Sequence, residues 1–285
     1  MGEDLEIQAG LYVVATPLGN LGDITVRALH VLKTVPSIAC EDTRMTRDLL
    51  RHLAINPPDL YSVREHNERT AAEAVVARIA RGEAVAYVSD AGTPAISDPG
   101  ARLVAAVREA GFQIFPVPGA SAVTAVLSAA GLESTAFTFL GFAPTSNGEL
   151  ATFADAIAAR TETTVFFESP HRVEKTLPIL AKALPAERRI VIGRELTKKF
   201  ETISATTAGK LAAWIEANVE RMRGEFVIVV EGAPQAQRAT SFDARSLLKA
   251  LLQDLPPAKA AKLAAKLTGE SRDELYALAE TMKGS

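Results

Sequence analysis

Short apolar segments alternate with amphipathic ones over the first 131 residues. Segments such as LYVVA (11–15) and AVAYV (84–88) have the length and composition of buried strands, whereas ITVRALHVLKTV (24–35) has apolar residues at helical spacing. Repeated strand–helix units are typical of a mostly parallel sheet that helices cover on both faces. We therefore predict an α/β fold whose N-terminal domain, residues 1–131, contains a parallel sheet.

The pattern changes after Gly131, where strand segments follow one another more closely. RRIVIGREL (188–196) and FETISA (200–205) are separated by three residues, which predicts an antiparallel hairpin. We expect a mixed sheet in a second α/β domain over residues 132–233. A polar linker then leads to three short helical segments, which predict a small C-terminal helical domain within residues 234–285.

The composition excludes several classes of protein. The net charge is −3, so any nucleic-acid site must be a local basic surface. The single cysteine, Cys40, allows no intrachain disulfide, and no apolar stretch is long enough to span a bilayer. We expect a soluble cytoplasmic protein with no membrane partner.

Polar, turn-forming loops follow the strands of the first half: TPLGN, EDTR, SDAGTP and PGASA. In parallel sheets, ligands bind beyond the carboxyl ends of the strands. Within SDAGTP, Gly92 permits close backbone approach to a ligand, Asp90 can accept from a hydroxyl or ammonium group, and Thr93 adds a hydroxyl. The alternatives are an ordinary turn at Asp90 and a simple helix N-cap at Ser121.

Known nucleotide and metal motifs are missing from the sequence. There is no G-x-G-x-x-G, no phosphate-binding G-x-x-x-x-G-K-[ST], no H-E-x-x-H and no C-x-x-C pair. We therefore expect no metal site.

Basic residues cluster beside three strand ends. The clusters contain Arg44, Arg47 and Arg51; His171 and Arg172; and Arg194, Lys198 and Lys199. Each cluster alone fits a solvated surface, but together they favour phosphate binding. Near the C-terminus, Lys259, Lys262 and Lys266 recur at helical spacing, which fits either a helix that touches RNA or an ordinary surface helix.

Taken in order, the strings LYVVATPLGNLGDIT, EDTR, SDAGTPAISDPG, PGASA, FLGF, FFESPHR and RELTKKFE resemble the tetrapyrrole (corrin/porphyrin) methylase superfamily. The resemblance runs from about Leu11 to Gly232. Ser89 and Ala91 replace the Gly and Pro of the GDP-type motif found in the tetrapyrrole branch, which favours the branch that acts on ribosomal RNA.

The resemblance implies a two-domain fold that binds S-adenosylmethionine (SAM) between its domains and methylates a cytidine ribose 2′-hydroxyl. The acceptor would lie in the decoding region of 16S rRNA in the small ribosomal subunit, and the protein would be a homodimer without a metal. The donor contacts that carry over are Leu18, Asp90, Ala91, Gly92, Thr93, Ser121, Ala122, Phe166 or Phe167, and Glu225. The residues from Ser97 to Gly100 would only cap and start the next helix.

A ribose hydroxyl is a poor nucleophile, so we expect a base or a nearby cation to help remove its proton. The candidate bases are Glu168, His171, Glu41 and Asp42. The candidates for holding the RNA backbone are Arg44, Arg47, Arg172, Arg194, Lys198 and Lys199. Two alternatives remain open: a methyltransferase of the same superfamily that acts on a small molecule or a protein side chain, and a non-catalytic RNA-binding factor.

Overall fold

The computed structural model describes residues 6–64, 66–133, 136–234 and 244–283. The chain divides into two compact units, one of Met1–Ala158 with Glu162–Glu231, and one of Ala159–Thr161 with Gly232–Ser285. The described part of the first unit contains two five-stranded sheets.

The first sheet is parallel throughout, as the alternation of strands and helices predicts. Its strands are β1 (Gly10–Val14), β2 (Ser37–Cys40), β3 (Asp59–Ser62), β4 (Ala84–Val88) and β5 (Ile114–Val117), in the order β3-β2-β4-β1-β5. The helices of this half are α1 (Val26–Thr34), α2 (Thr43–His52), α3 (Glu68–Ala80), α4 (Ala101–Glu109) and α5 (Ala122–Ala129).

Helices cover both faces of this sheet, which explains why its central strands are apolar on both sides. On one face, α1 and α2 bring Leu32 and Leu50 against the sheet. On the other face, α3 and α4 bring Val75 and Leu103. All five residues of β4 are buried. The carboxyl ends of β1, β2, β4 and β5 therefore lie along one edge of the sheet.

The second sheet is mixed, as expected. Its strands are β6 (Phe137–Phe142), β7 (Thr163–Glu168), β8 (Arg189–Arg194), β9 (Thr202–Thr207) and β10 (Phe226–Val230), in the order β6-β7-β10-β8-β9. The predicted hairpin is confirmed, because β8 and β9 pair antiparallel. The helices that follow in this half are α6 (Asn147–Ala159), α7 (Val173–Ala183) and α8 (Leu211–Ala217).

Helix α5 packs on the second sheet, although it follows the last strand of the first. Its Val123 and Val126 share a core with Val165 of β7 and with Val227 and Val229 of β10. The opposite face of the second sheet is covered by α6, α7 and α8. The two sheets are thus joined through a helix whose apolar side belongs to the second.

Helix α4 begins directly after the expected stretch from Ser97 to Gly100, but its side-chain acceptor comes from another helix. The residues from Ser97 to Gly100 do not cap it with a side chain; Gly100 is the N-cap residue, with φ of 125°. The cap comes from Glu68 on α3, whose Oε1 accepts from the backbone N–H of Gly100 at 3.0 Å and of Arg102 at 2.8 Å. A carboxylate that satisfies the free N–H groups of a helix start also complements the helix dipole.

The described residues of the second unit form three helices, as predicted. They are α9 (Ala244–Leu251), α10 (Pro257–Thr268) and α11 (Arg272–Lys283). Their small core includes Leu248, Ala261, Ala264 and Leu275. Among the described residues of the whole chain, no helix has the length and apolarity that crossing a membrane requires.

Replacing Glu68 with Ala should lower the free energy of unfolding by about 2 kcal/mol, because a buried charged acceptor for the start of α4 is lost. Thermal unfolding followed by circular dichroism measures the change. Glu73→Ala, at an exposed position of the same helix, is the matched control. Equal melting temperatures for the two variants would contradict the capping role of Glu68.

Candidate functional site

Two loops are bonded to each other at the carboxyl ends of β1 and β4. The Thr16 N–H donates to the Gly92 carbonyl at 2.9 Å, and the Gly92 N–H donates to the Thr16 carbonyl at 3.0 Å. The Thr16 hydroxyl also donates to the Ser89 carbonyl. TPLGN and SDAGTP are therefore held together by backbone bonds.

Gly92 is required where these loops meet. Its φ of 77° lies in the left-handed region, and a Cβ there would lie 3.1 Å from Leu18 Cδ2. The neighbouring Thr93 hydroxyl donates to the Ala120 carbonyl at 3.1 Å, which attaches the PGASA loop. Three loops that are distant in sequence thus form one wall.

A cavity of about 240 Å³ lies between this wall and the edge of the second sheet. The first half of the chain lines it with Leu18, Ala91, Gly92, Thr93, Ile96, Ser97, Asp98, Ser121, Ala122 and Val123. The second half lines it with Phe142, Phe167, Glu168, Ser169, Pro170, Glu225, Phe226 and Val227. The chamber is largely apolar, with a few polar groups at defined places, which is typical of small-molecule sites.

Most of the residues expected to contact the donor lie on this cavity. The lining includes Leu18, Ala91, Gly92, Thr93, Ser121, Ala122, Phe167 and Glu225. Of the two phenylalanines, Phe166 points to the opposite face, where it is fully buried and packs edge-on against Phe153. The side chain of Glu225 is 77% exposed and pairs with Lys198 Nζ at 3.2 Å.

Asp90 lies outside the lining. Its Oδ1 accepts from the backbone N–H of Asp42 at 3.1 Å, so the carboxylate faces the end of β2. Since β4 ends at Val88, Asp90 belongs to the loop, and its bond to the Asp42 N–H sets the direction of the carboxylate.

Asp98 lines the cavity instead, although sequence reasoning gave it only a structural role. Burial raises the pKa of its carboxyl group to about 6, and the negative charges of Glu41 and Asp90 add to the rise. The preceding loop turns through two left-handed residues, Ala95 and Ser97, with φ of 65° and 66°. Non-glycine residues in this conformation store strain and concentrate at functional sites. The repeated Asp in SDAGTPAISDPG was the only available signal.

Glu41 and Asp42, adjacent in sequence, have opposite electrostatic surroundings. Burial and the charge of Asp90 raise the pKa of Glu41. Hydrogen bonds from Arg44, with the charges of Arg44 and Arg64, lower the pKa of Asp42. Asp42 is therefore held ionised and paired, and Glu41 is the better proton acceptor of the two.

Glu168 is fully buried, and both of its carboxylate oxygens have partners. Oε1 accepts from the Ser169 N–H at 2.7 Å and pairs with Arg172 at 2.7 Å, while Oε2 accepts from the Thr176 hydroxyl at 2.5 Å. Arg172 also donates to the Ala143 carbonyl at 3.0 Å. These contacts favour a structural role for Glu168 and Arg172 over base catalysis and RNA binding. His171, between them, is exposed.

The other basic candidates divide into two groups. Arg194 donates to the carbonyls of Arg223 and Phe200, and Lys198 pairs with Glu195 and Glu225, so both hold the loop that joins β8 to β9. Arg47 and Lys199 are exposed. Arg44 is 82% exposed and pairs with Asp42 at 2.8 Å.

Metal ligation finds no support in the residues that the structure describes. Among them, no group of three or more His, Cys, Asp or Glu side chains is arranged to hold an ion.

Comparison with known protein families identifies the class of protein that has these two sheets and this cavity. Residues 10–212 match the family described as Tetrapyrrole (Corrin/Porphyrin) Methylases, and residues 239–283 match the RsmI C-terminal HTH domain. The chain therefore belongs to the tetrapyrrole methylase family, whose members are SAM-dependent methyltransferases. The resemblance seen in the sequence is confirmed.

Curated relatives of this chain carry a more specific name than the family does. The chain is 46% identical to ribosomal RNA small subunit methyltransferase I of Xylella fastidiosa strain Temecula1, over 93% of this chain and 97% of the relative. It is 43% identical to the protein of that name from Escherichia coli O157:H7, over 97% of this chain and 96% of the relative.

Solved structures support the fold alone. A cobalt precorrin-4 methyltransferase matches with a TM-score of 0.56 and 20% identity, over 78% of this chain and 94% of that one. The methyltransferase CobJ matches with a TM-score of 0.57 and 20% identity, over 79% and 95%.

Replacing Arg172 with Met should lower the free energy of unfolding by about 3 kcal/mol, because it leaves the buried Glu168 carboxylate without its countercharge. Arg44→Met is the matched control, since an exposed ion pair adds little to stability, and it should melt like the parent protein. Thermal unfolding of both variants tests the difference. An unchanged melting temperature for Arg172→Met would show that the buried pair is not structural.

Proposed function

We propose that this protein transfers a methyl group from SAM to the 2′-hydroxyl of a cytidine in the decoding region of 16S rRNA. The observation that carries the proposal is the cavity at the strand ends, with Asp98 on its wall, in a chain that is 42–46% identical to proteins named ribosomal RNA small subunit methyltransferase I. Those relatives are matched over nearly their whole length.

The cavity residues fit the three chemical parts of SAM. Phe142, Phe167 and Leu18 provide apolar surface for the adenosine. The start of α5 reaches the cavity at Ala122 and has no side-chain cap, so its free N–H groups suit a carboxylate. Asp98 supplies a negative charge for a sulfonium or an ammonium group.

The bound donor would supply a methyl group on a positively charged sulfur, which needs little further activation. The contribution of the chain is then to orient the ribose oxygen, exclude water and accept a proton. The rigid wall made by the Thr16–Gly92 and Thr93–Ala120 bonds provides the orientation. Among the candidate bases, Glu41 has a raised pKa and His171 is exposed, so we propose these two as proton acceptors.

The exposed cations of the basic clusters suit the RNA backbone. Arg44, Arg47 and Lys199 are exposed, and we propose that they contact phosphate groups. We assign Arg172, Arg194 and Lys198 to the support of the surrounding loops, because their charged groups have internal partners.

We also propose that the protein is cytoplasmic and works as a homodimer. Exposed apolar side chains on the second sheet and its loops support an interface, since Phe137 is 51% exposed and Phe200 is 66% exposed. Light scattering coupled to size exclusion measures the mass in solution. A mass of one chain at micromolar concentration would contradict the dimer.

Asp98→Asn should weaken SAM binding about 10- to 100-fold, the usual range for one charged hydrogen bond. For the parent protein, affinity should increase as the pH rises from 5 through 6 to 7, because the Asp98 pKa is about 6 and only the ionised carboxylate attracts a cation. Calorimetric titration across this range measures both effects.

Asp90→Asn is the control for that titration, because its carboxylate faces the end of β2 instead of the cavity. We expect a smaller loss of affinity and a pH dependence that persists. A greater loss for Asp90→Asn than for Asp98→Asn would reverse the assignment of the two residues.

Incubation with tritiated SAM should label 16S rRNA in small ribosomal subunits at one cytidine ribose, and mapping of the modified nucleotide identifies it. Labelling of a small molecule or a protein would favour the alternative methyltransferase. SAM binding without any transfer, or no SAM binding at all, would contradict the proposed activity.

A further inference from the structure

Helix α10 presents an exposed face that combines positive charge with apolar side chains. Lys259, Lys262 and Lys266 are exposed along it, and Leu263 and Leu267 lie beside them with 39% and 49% exposure. The opposite face of the helix is buried, because Ala260, Ala261 and Ala264 pack into the core of the unit. This exposed face of α10, defined by the three lysines and two leucines, is called the lysine face below.

The lysine face has no acidic residue on its own helix. Within the described residues 244–283, the ion pairs of the structure include none of the three lysines. Three ammonium groups spread over the eight residues from Lys259 to Lys266 span about 10 Å along the helix axis. Their charges are therefore available to an external anion that repeats along a chain.

The next helix has a net negative charge. Helix α11 exposes Asp273, Glu274 and Glu280, which repel phosphate groups, and its basic residues are Arg272 and Lys283 at its two ends. The two helices are separated by a turn at Gly269, whose φ of 77° ends α10 in the left-handed conformation. Charge thus distinguishes the two members of the helix pair as possible nucleic-acid contacts.

We propose that the lysine face of α10, and not α11, contacts the phosphate backbone of the RNA substrate; this rests on the proposed function. In helix-turn-helix proteins the second helix commonly reads bases while the first crosses the backbone. Here the second helix is the acidic α11, which is unsuited to enter a groove. The first is α10, which carries the positive charge that backbone contact requires. Leu263 and Leu267 would lie against sugar groups between the lysine–phosphate pairs.

The proposal is tested with the full chain and a 16S rRNA transcript, by filter binding at several salt concentrations. Lysine–phosphate contacts release counterions, with a slope of about −0.7 per contact on single strands in a plot of log affinity against log salt. The variant Lys259→Gln/Lys262→Gln/Lys266→Gln should therefore reduce the magnitude of the slope by about 2 and weaken binding by up to about 100-fold at 0.1 M salt.

A matched control removes three positive charges elsewhere. Lys33, Lys182 and Lys210 are exposed in the first unit, and their triple Gln variant has the same net charge as the α10 variant. We expect its slope to change by less than 1. Equal losses in the two triple variants would overturn the proposal, because they would indicate a general effect of charge.

Two further variants complete the test. Asp273→Asn/Glu274→Gln should leave the affinity equal or slightly higher, whereas a clear loss would indicate that α11 is the contact helix and overturn the proposal. Leu263→Ala/Leu267→Ala should weaken binding without changing the salt slope, and thermal unfolding shows whether each variant is folded. Methyl transfer is a separate measurement. A protein that binds RNA through α10 but transfers no methyl group would contradict the proposed function and leave the α10 contact standing.

Discussion

The reciprocal backbone bonds between Thr16 and Gly92 are the contact on which the cavity depends. They join the loops after β1 and β4, whose strands are neighbours in the first sheet. Gly92 donates one of these bonds and accepts the other, in a left-handed conformation that keeps its backbone close to Leu18. The junction of these two loops is therefore made by main chain, and the Thr93 hydroxyl adds the third loop to the wall through the Ala120 carbonyl.

Charged groups inside the second half of the chain support the cavity through the loops that they hold. Glu168 and Arg172 tie the end of β7 to the start of α7 and to the Ala143 carbonyl. Since a buried ion pair costs desolvation, its value here is geometric: it fixes the loop that brings Ser169 and Pro170 to the cavity. Residues that look catalytic in a sequence can thus be the supports of a site.

Local sequence patterns were sufficient to predict the two sheets. The strands were predictable because strands covered on both faces are short and apolar. The hairpin of β8 and β9 was predictable because only three residues separate the two strand segments in the sequence, which is too few for a crossover connection. The tested parts of the prediction, namely the family and its fold, are confirmed. Gly100 is the N-cap residue of α4, within the expected stretch from Ser97 to Gly100, but the side-chain acceptor at this helix start is Glu68, 32 residues earlier than Gly100. Long-range contacts of this kind leave no local signal. The cavity position of Asp98 was equally hidden, because it depends on left-handed backbone at Ala95 and Ser97.

Helix α5 has a mechanical consequence. Its N-terminal end belongs to the cavity wall, while its Val123 and Val126 are part of the core of the second sheet. Local opening of either sheet would therefore disturb this helix. A ligand that binds at Ser121 and Ala122 would couple the two sheets into one cooperative folding unit, and hydrogen exchange in α5 would report on the stability of both.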